Sequence, residues 1–271
     1  MVHRVFAEDL SGTHATIDGP EAHHLLNVLR LKPGDEVQLF DGQGTVADGT
    51  IQSGSRKSAR VSLLSRQMAP YRPVRRVSVA AAPPKGERLR WMVEKLTEVG
   101  VAELVLLQTS RTIVHPGETR LDKLQATVIS ACKQSGRNHL MRLRPLTPLS
   151  AFLSQHRQPR SVEDPSAESA LPRATRMVLA HPENPGIPLA DPRPGSRAAP
   201  SHAADLLLIG PEGGFSPAEV TEILQAGAES VCWPNSILRI ETAAVVFAAH
   251  LINSVRCGEP REMLDTAAPS A

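Results

Sequence analysis

Residues 206–216 read LLLIGPEGGFS, which predicts a strand, a glycine-rich turn and the start of a helix in immediate succession. The run 206–209 is short and wholly apolar, as is usual for a strand buried on both faces of a parallel sheet. Three glycines within five positions let the following backbone pass close to a bound molecule. We therefore expect this turn to form the floor of a ligand-binding site. It lacks the GxGxxG motif of dinucleotide sites and the lysine of a P-loop.

A capped helix follows the turn, and a second loop comes after that helix. Residues 216–219 read SPAE, a capping box with proline at the first helical position, so the helix is predicted to begin there. After a short strand at 230–233, residues 238–242 read LRIET and lead into residues 243–249, which are apolar on every face. A helix of that kind has to be buried, and charges at its entrance are costly unless paired or used. Arg239 and Glu241 are therefore candidate site residues, the alternative being a capping carboxylate with a salt-bridging arginine.

The middle of the chain predicts alternating strands and helices. The expected elements are strands at 77–82, 101–107 and 177–180 and helices at 87–99 and 120–134. This order indicates a parallel sheet with right-handed crossovers. The turn at 134–138, QSGRN, is either a helix cap or a substrate contact through Arg137 and Asn138. His181 follows a strand at the end where open α/β sheets bind ligands.

The first 70 residues predict a small barrel of short strands joined by glycine turns, with one helical pattern at 20–30. Expected strands lie at 37–40, 46–51 and 59–64. Prolines and basic residues at 71–76 suggest a boundary, and two segments rich in Pro, Ser and Ala, 158–176 and 190–204, suggest flexible excursions. Basic residues of the barrel are candidates for gripping RNA backbone, or else form a solvated rim: Arg4, Arg30, Lys32, Arg56, Lys57 and Arg60.

Charge and composition narrow the class of protein. Residues 1–145 carry 21 Lys and Arg against 14 Asp and Glu, whereas residues 206–271 carry 3 against 8. A positive half suggests a polyanionic partner, and the alternative is a solvated surface with chance clustering. The scattered cysteines Cys132, Cys232 and Cys257 argue against a zinc site or a disulfide framework. No signal peptide or membrane-spanning run is apparent, so we expect a cytoplasmic protein with no metal and no membrane contact.

Several separated motifs together resemble the bacterial 16S rRNA (uracil-N3)-methyltransferase family of the SPOUT superfamily. Besides LLIGPEGGFS and LRIETA, they are HLLNVLRLKPGDEVQLFDG at 24–42, residues 85–99, and ACKQSGRN at 131–138, all in the family's order. The similarity covers nearly the whole chain apart from the two Pro/Ser/Ala-rich segments and the tail. One departure is Ile240, where the family usually has Thr or Val. Because Arg239 and Glu241 are intact, we expect only a local change in packing there.

The resemblance implies an α/β protein with two domains and a tail. A PUA-like RNA-binding β-barrel is expected at 1–72, a SPOUT α/β domain with a trefoil knot at 73–257, and a flexible tail at 258–271. It also implies a homodimer that binds S-adenosylmethionine through the backbone of three loops. The cofactor-binding residues implied in this way are Ala180, His181, Ile209, Gly210, Pro211, Glu212, Gly213, Trp233, Ile237, Leu238, Thr242 and Ala243.

The implied reaction is methylation of uridine N3 in the 16S rRNA of the small ribosomal subunit. N3 must lose its proton as the methyl group leaves sulfur, so Arg239 and Arg137 are candidates to stabilise the anion and Glu241 to accept the proton. Other readings are a SPOUT ribose 2′-O-methyltransferase, whose last motif usually carries Ser and Asn, and a non-catalytic RNA-binding assembly factor. The candidate RNA-binding residues are Arg4, Arg30, Lys32, Arg56, Lys57, Lys85, Arg137 and Asn138.

Overall fold

The computed structural model describes residues 2–55, 57–68, 76–157, 175–182, 187–188, 204–233 and 236–253. Several sequence predictions lie outside the described residues. They concern Arg56, Cys257, most of the two Pro/Ser/Ala-rich segments, the boundary between residues 72 and 73, and the tail from residue 258 onward. The domain limits therefore stay predictions.

The N-terminal part forms a five-stranded sheet in the order β1-β3-β4-β5-β2. Strands β1 and β3 pair parallel and the other neighbours pair antiparallel. The helical pattern at 20–30 is confirmed as far as residue 28, because the short helix α1 (Gly19–His23) continues into a π-helical turn at His24–Val28. The strands, which include those predicted at 37–40, 46–51 and 59–64, are β1 (His3–Phe6), β2 (His14–Asp18), β3 (Glu36–Phe40), β4 (Thr45–Gly54) and β5 (Ser58–Met68).

The rest of the chain forms the predicted parallel sheet, with seven strands in the order β10-β12-β9-β11-β6-β7-β8. The strands are β6 (Arg76–Ala81), β7 (Glu103–Gln108), β8 (Arg142–Pro148), β9 (Thr175–Ala180), β10 (Ile187–Pro188), β11 (Ala204–Ile209) and β12 (Glu229–Cys232). The helices are α2 (Glu87–Val99), α3 (Glu118–Ser135), α4 (Leu149–Arg157), α5 (Pro217–Gln225) and α6 (Ile240–Asn253). Sequence reasoning did not predict β8, β10 or α4.

The register of the parallel sheet aligns the ends of its central strands. Ile209 of β11 pairs with both Ala180 of β9 and Ala81 of β6, and Val231 of β12 also pairs with Ala180. Because parallel strands all point the same way, the loops that follow these strands leave from one edge of the sheet. The loops predicted to bind one ligand therefore begin side by side.

The two sheets are joined through the turn between β3 and β4. Phe40 belongs to the apolar cluster of the parallel sheet, and Gly42 accepts a backbone hydrogen bond from Leu140 at 2.9 Å. Gly42 has φ 74°, and a Cβ there would lie 2.5 Å from Leu140 Cγ, so this close approach requires glycine. Lys133 of α3 adds an ion pair of 2.7 Å with Glu21 of α1.

Helix α6 is fully buried on one side and half-buried on the other. It packs against α2, β6 and β11, and Ala244, Phe247 and Leu251 face the core. Val246 and Ala249 stay half-buried within the chain. The expectation that this helix is buried therefore holds for its core-facing side, and the remaining residues from Ile240 to Ile252 are half-buried. The trefoil knot stays a prediction.

None of the helices that the structure describes is long and apolar enough to cross a bilayer.

Candidate active site

A cavity of about 330 Å³ opens at the carboxyl edge of the parallel sheet. Four segments line it: 180–182 after β9, 209–215 after β11, 231–233 at the end of β12, and 236–247 leading into α6. Pro234 and Asn235, between the last two segments, lie outside the described residues. The cavity forms here because the sheet register places three strand ends against the first turns of one helix.

The structure brings most of the predicted cofactor-binding residues to this cavity. All of them line it except Gly213 and Thr242, and Arg239 lines it as well. Phe215 and Phe247 are lining residues that sequence reasoning missed. The ring of Phe247 lies edge-on to that of Trp233, with 6.2 Å between the centroids. Phe247 gave no signal of its own, because an aromatic residue in an apolar helix is read as core.

The glycine turn after β11 is held by tight packing and by its neighbours. A Cβ at Gly210 would lie 2.9 Å from the Phe215 ring and 3.1 Å from its backbone nitrogen, so only glycine fits. Gly214, with φ 69°, donates a backbone hydrogen bond of 2.8 Å to Pro211. On the other side, the Arg111 guanidinium donates to the carbonyl oxygen of Gly213.

The capping box that starts α5 is confirmed, and it does more than start a helix. Ser216 N donates to Glu219 Oε2 at 2.7 Å, and Glu219 N donates to Ser216 Oγ at 3.3 Å. Ser110, in the loop after β7, donates to the same carboxylate from its backbone nitrogen at 2.7 Å and its hydroxyl at 3.0 Å. Burial alone would raise the pKa of Glu219, but hydrogen bonds from Ser110 and Ser216 outweigh it and lower that pKa.

The two charged residues of the second loop occupy different places. Arg239 is exposed at the cavity wall. Glu241 is 6% exposed and does not line the cavity, and its Oε2 atom has no hydrogen-bond partner among the described residues. Arg88, on the first turn of α2, places Nη1 3.9 Å from Glu241 Oε1 and Nη2 3.3 Å from Glu212 Oε1. Sequence reasoning did not identify Arg88 as a site residue, because it was interpreted as an ordinary surface charge of α2.

Arg137 and Asn138 lie away from the cavity within one chain. Arg137 Nη1 donates to the carbonyl oxygens of Thr97 at 2.6 Å and Val101 at 3.1 Å, at the end of α2. Arg4 Nη2 donates to Arg137 O at 3.1 Å and to Asn138 Oδ1 at 2.7 Å. The bonds from Arg4 join the two sheets, and all three residues are partly buried.

The Arg4 guanidinium is held inside this interface. It lies 4.9 Å from the centroid of the Phe40 ring, and its burial lowers its pKa. Among the other predicted RNA-binding residues, Arg137 and Asn138 are also partly buried, whereas Arg30, Lys32, Lys57 and Lys85 are exposed. Arg30 has φ 58°, a left-handed conformation that costs a non-glycine residue about 1 kcal/mol. The exposed basic residues are Arg30, Lys32, Lys57 and Arg60 in the N-terminal part with its five-stranded sheet, which we call the first unit, and Lys85 shortly after β6.

No group of three or more His, Cys, Asp or Glu within the described ranges is arranged to hold a metal ion.

Comparison with known proteins agrees with the arrangement of two units. The RNA methyltransferase domain family matches residues 70–252, and the RNA methyltransferase PUA domain family matches residues 17–64. Ribosomal RNA small subunit methyltransferase E from Mycobacterium bovis is 32% identical over 254 residues, covering 91% of this chain and 90% of its own length.

Two solved structures share the fold along nearly their whole length. Ribosomal RNA small subunit methyltransferase E from Neisseria gonorrhoeae, bound to S-adenosylmethionine, has a TM-score of 0.75 and 25% identity, covering 93% of this chain and 97% of its own. A probable rRNA-methyltransferase from Porphyromonas gingivalis has a TM-score of 0.73 and 30% identity, covering 95% and 100%. With a family match over more than half its length, this chain belongs to the RNA methyltransferase domain family.

Proposed function

We propose that this protein transfers a methyl group from S-adenosylmethionine to N3 of a uridine in the 16S rRNA of the small ribosomal subunit. One observation carries the proposal: three separated loops, predicted as one cofactor site, surround a single cavity of about 330 Å³. The relatives support it, because the Mycobacterium bovis protein is a ribosomal RNA small subunit methyltransferase and the Neisseria gonorrhoeae protein binds S-adenosylmethionine. The choice of N3 as the methylated atom rests on the resemblance of the sequence motifs to those of the uracil-N3 methyltransferase family.

The cavity fits the cofactor in size and chemistry. Its volume lies at the lower end of the range for small-molecule sites, and such sites combine apolar walls with a few polar groups. Ile209, Leu238 and Phe247 supply apolar wall, and the backbone around Gly210 approaches closely because no side chain is there. Bound there, S-adenosylmethionine supplies a methyl group already activated by its positive sulfur.

Arg239 is the residue that we assign to the reacting base. As the methyl group is transferred to N3, the N3 proton leaves to solvent, to which this wall of the cavity is exposed, and a cation held at the wall stabilises the negative charge that develops on the uracil ring. Arg239 lines the cavity and is exposed, so its guanidinium can reach a base presented from solvent. Glu241 is buried and Arg137 donates to carbonyls elsewhere, so we assign both to positioning.

The RNA is expected to bind on the first unit and along the edge near Lys85. The exposed basic residues Arg30, Lys32, Lys57 and Arg60 can contact phosphates, which provide most of the affinity for nucleic acid. We do not include Arg4, because its guanidinium is engaged with Asn138 and Phe40. Since the proposed substrate is ribosomal, we also expect the protein to act in the cytoplasm.

We further propose a homodimer formed through α6 and its neighbour α2. Val246 and Ala249 leave an apolar stripe half-buried on α6, and Trp91 of α2 is 43% exposed. A second copy would bury this stripe, which fits the all-round apolar character of the helix. Sedimentation analysis tests this, and a monomer at micromolar concentration would contradict it.

The function is tested by one assay with mapped product. The protein is incubated with methyl-labelled S-adenosylmethionine and small subunits that lack the modification, and the labelled nucleotide and atom are identified. We expect one uridine to be labelled at N3. Label on a ribose 2′-oxygen would favour the ribose methyltransferase reading. Failure to bind S-adenosylmethionine in calorimetry would favour an assembly factor instead.

A further inference from the structure

We propose that Arg88 is a positioning residue for the cofactor site, tying the glycine turn to the first turn of α6 through Glu212 and Glu241. The inference rests on the proposed function, because the two segments that Arg88 joins are walls of the proposed cofactor cavity. Arg88 itself does not line that cavity, so it acts through its two partners and not by contact with the ligand.

The geometry places one guanidinium between two carboxylates from distant parts of the chain. Nη2 donates to Glu212 Oε1 at 3.3 Å, and Nη1 lies 3.9 Å from Glu241 Oε1. Glu212 belongs to the glycine turn after β11, whereas Glu241 belongs to α6. Arg88 places positive charge between these two carboxylates, so it makes their proximity favourable.

The burial of Glu241 gives this contact its importance. Its side chain is 8% exposed, and its Oε2 atom accepts no hydrogen bond from the residues that the structure describes. A carboxylate in such a position is costly unless a cation compensates it, and truncating the cation leaves the charge uncompensated. The amide groups at the start of α6 add favourable dipole energy, but they do not connect Glu241 to the glycine turn.

An arginine suits this role better than a lysine. Its planar fork carries separate nitrogens that can address two acceptors at once, whereas a lysine ammonium is a point charge on a flexible stem. Arg88 uses one Nη nitrogen for each carboxylate. We therefore expect Arg88→Lys to keep only part of the effect.

The functional consequence concerns the spacing of two cavity walls. Glu212 lines the cavity directly, and so do Ile240 and Ala243, which share the first turn of α6 with Glu241. If Arg88 no longer joins them, the two walls are free to separate. Affinity for S-adenosylmethionine then falls, whereas affinity for RNA, which depends on exposed cations elsewhere, changes little.

The first experiment measures cofactor affinity by calorimetry for Arg88→Met, which keeps the apolar stem and removes the charge. We expect about 10-fold weaker binding of S-adenosylmethionine, with Arg88→Lys in between. Arg90→Met is the matched control, because Arg90 is exposed on the same turn and does not line this cavity. RNA affinity should stay within about twofold in all three variants. Equal cofactor affinity in Arg88→Met and the wild type would overturn the inference.

A second experiment needs no ligand and tests the tie to Glu241. We expect Arg88→Met to lower the melting temperature by about 4 °C, and the double variant with Glu241→Gln to recover part of that loss, because the uncompensated charge is gone. Strictly additive effects of the two substitutions would contradict the pairing. A wild-type protein that failed to bind S-adenosylmethionine would overturn the proposed function alone, and coupling here would still support the contact.

Discussion

Gly210 and Arg239 show, at the scale of single residues, two different ways in which the cavity depends on one side chain. Gly210 matters for what it lacks, because any Cβ would meet Phe215 at 2.9 Å. Arg239 lines the same cavity, and we propose that it matters for the charge it brings to the wall. Substituting Gly210 should therefore affect mainly stability and cofactor affinity, whereas substituting Arg239 should affect mainly turnover.

Gly210→Ala is expected to lower stability by about 1–3 kcal/mol, the usual cost of overpacking, and to weaken cofactor binding. The new methyl group has to displace either the Phe215 ring or the turn itself. Thermal unfolding and calorimetry measure the two effects. Gly117→Ala is the control, because a Cβ there has nothing within 4 Å and its φ is −81°. A Gly210→Ala protein as stable as the control would contradict this prediction, because it would show that the turn accommodates a methyl group without cost.

Arg239→Ala is expected to reduce the turnover number about 100-fold, the usual loss when one group that stabilises developing charge is removed. Cofactor affinity should change much less than turnover, because the guanidinium is assigned to the uracil anion. Single-turnover methylation and calorimetry on the same preparation separate the two. Arg239→Lys should retain part of the rate because the charge remains. Normal turnover in Arg239→Ala would remove this residue from the mechanism.

At the scale of elements, α5 owes its position to Glu219, which caps the helix and binds the loop after β7. Two hydrogen bonds between Glu219 and Ser216 form the cap, and two more from Ser110 connect it to the loop after β7. Because the pKa of Glu219 is lowered in the folded protein, its contribution to stability is present at neutral pH. The contribution is lost as the pH falls through the folded-state pKa of Glu219.

Glu219→Gln should therefore destabilise the protein by about 1 kcal/mol at neutral pH, as loss of a cap does. The difference from the wild type should shrink as the pH drops below 4.5, the ordinary value for a glutamate. Urea unfolding at a series of pH values measures this. Glu8→Gln, at an exposed carboxylate, is the comparison variant. A difference that did not vary with pH would mean that the carboxylate charge is unimportant.

At the scale of the whole molecule, Arg4 is part of the contact between the two sheets. Its guanidinium reaches Arg137 O and Asn138 Oδ1 and lies against Phe40, and Lys133 pairs with Glu21 nearby. An interface with buried, hydrogen-bonded charge is sensitive to loss of one partner. Part of the positive charge of the N-terminal half therefore lies in the contact between the two sheets, and the exposed part is available for the proposed RNA contacts.

Arg4→Met is expected to cost about 2–3 kcal/mol, because hydrogen bonds to a charged group are lost and their acceptors stay partly buried. Scanning calorimetry should show a broader unfolding transition, because the N-terminal sheet then unfolds at a lower temperature than the parallel sheet. Lys32→Met removes an exposed charge from the same unit and should leave the unfolding unchanged while weakening RNA binding. If Arg4→Met weakened RNA binding with no effect on unfolding, Arg4 would be an RNA contact after all.

Local patterns in the sequence were sufficient for most elements of this protein. The bounds of α2 are those predicted from its apolar stripe, with Gly100 ending it at φ 104°, and the capping box marks the start of α5. These features act within one or two helical turns, so neighbouring residues carry all the information. The motifs also identified the segments that line the cavity, apart from the position of Phe247.

Contacts between distant residues were decided by the tertiary structure alone. Arg88 and Glu212 are 124 positions apart, and Arg4 and Asn138 are 134 apart. No periodicity extends over such separations, so the sequence could not distinguish a tie between loops from an ordinary surface arginine, or an interface arginine from an RNA contact. The order of the seven strands sets which side chains meet, and that order follows from how all the buried faces pack at once.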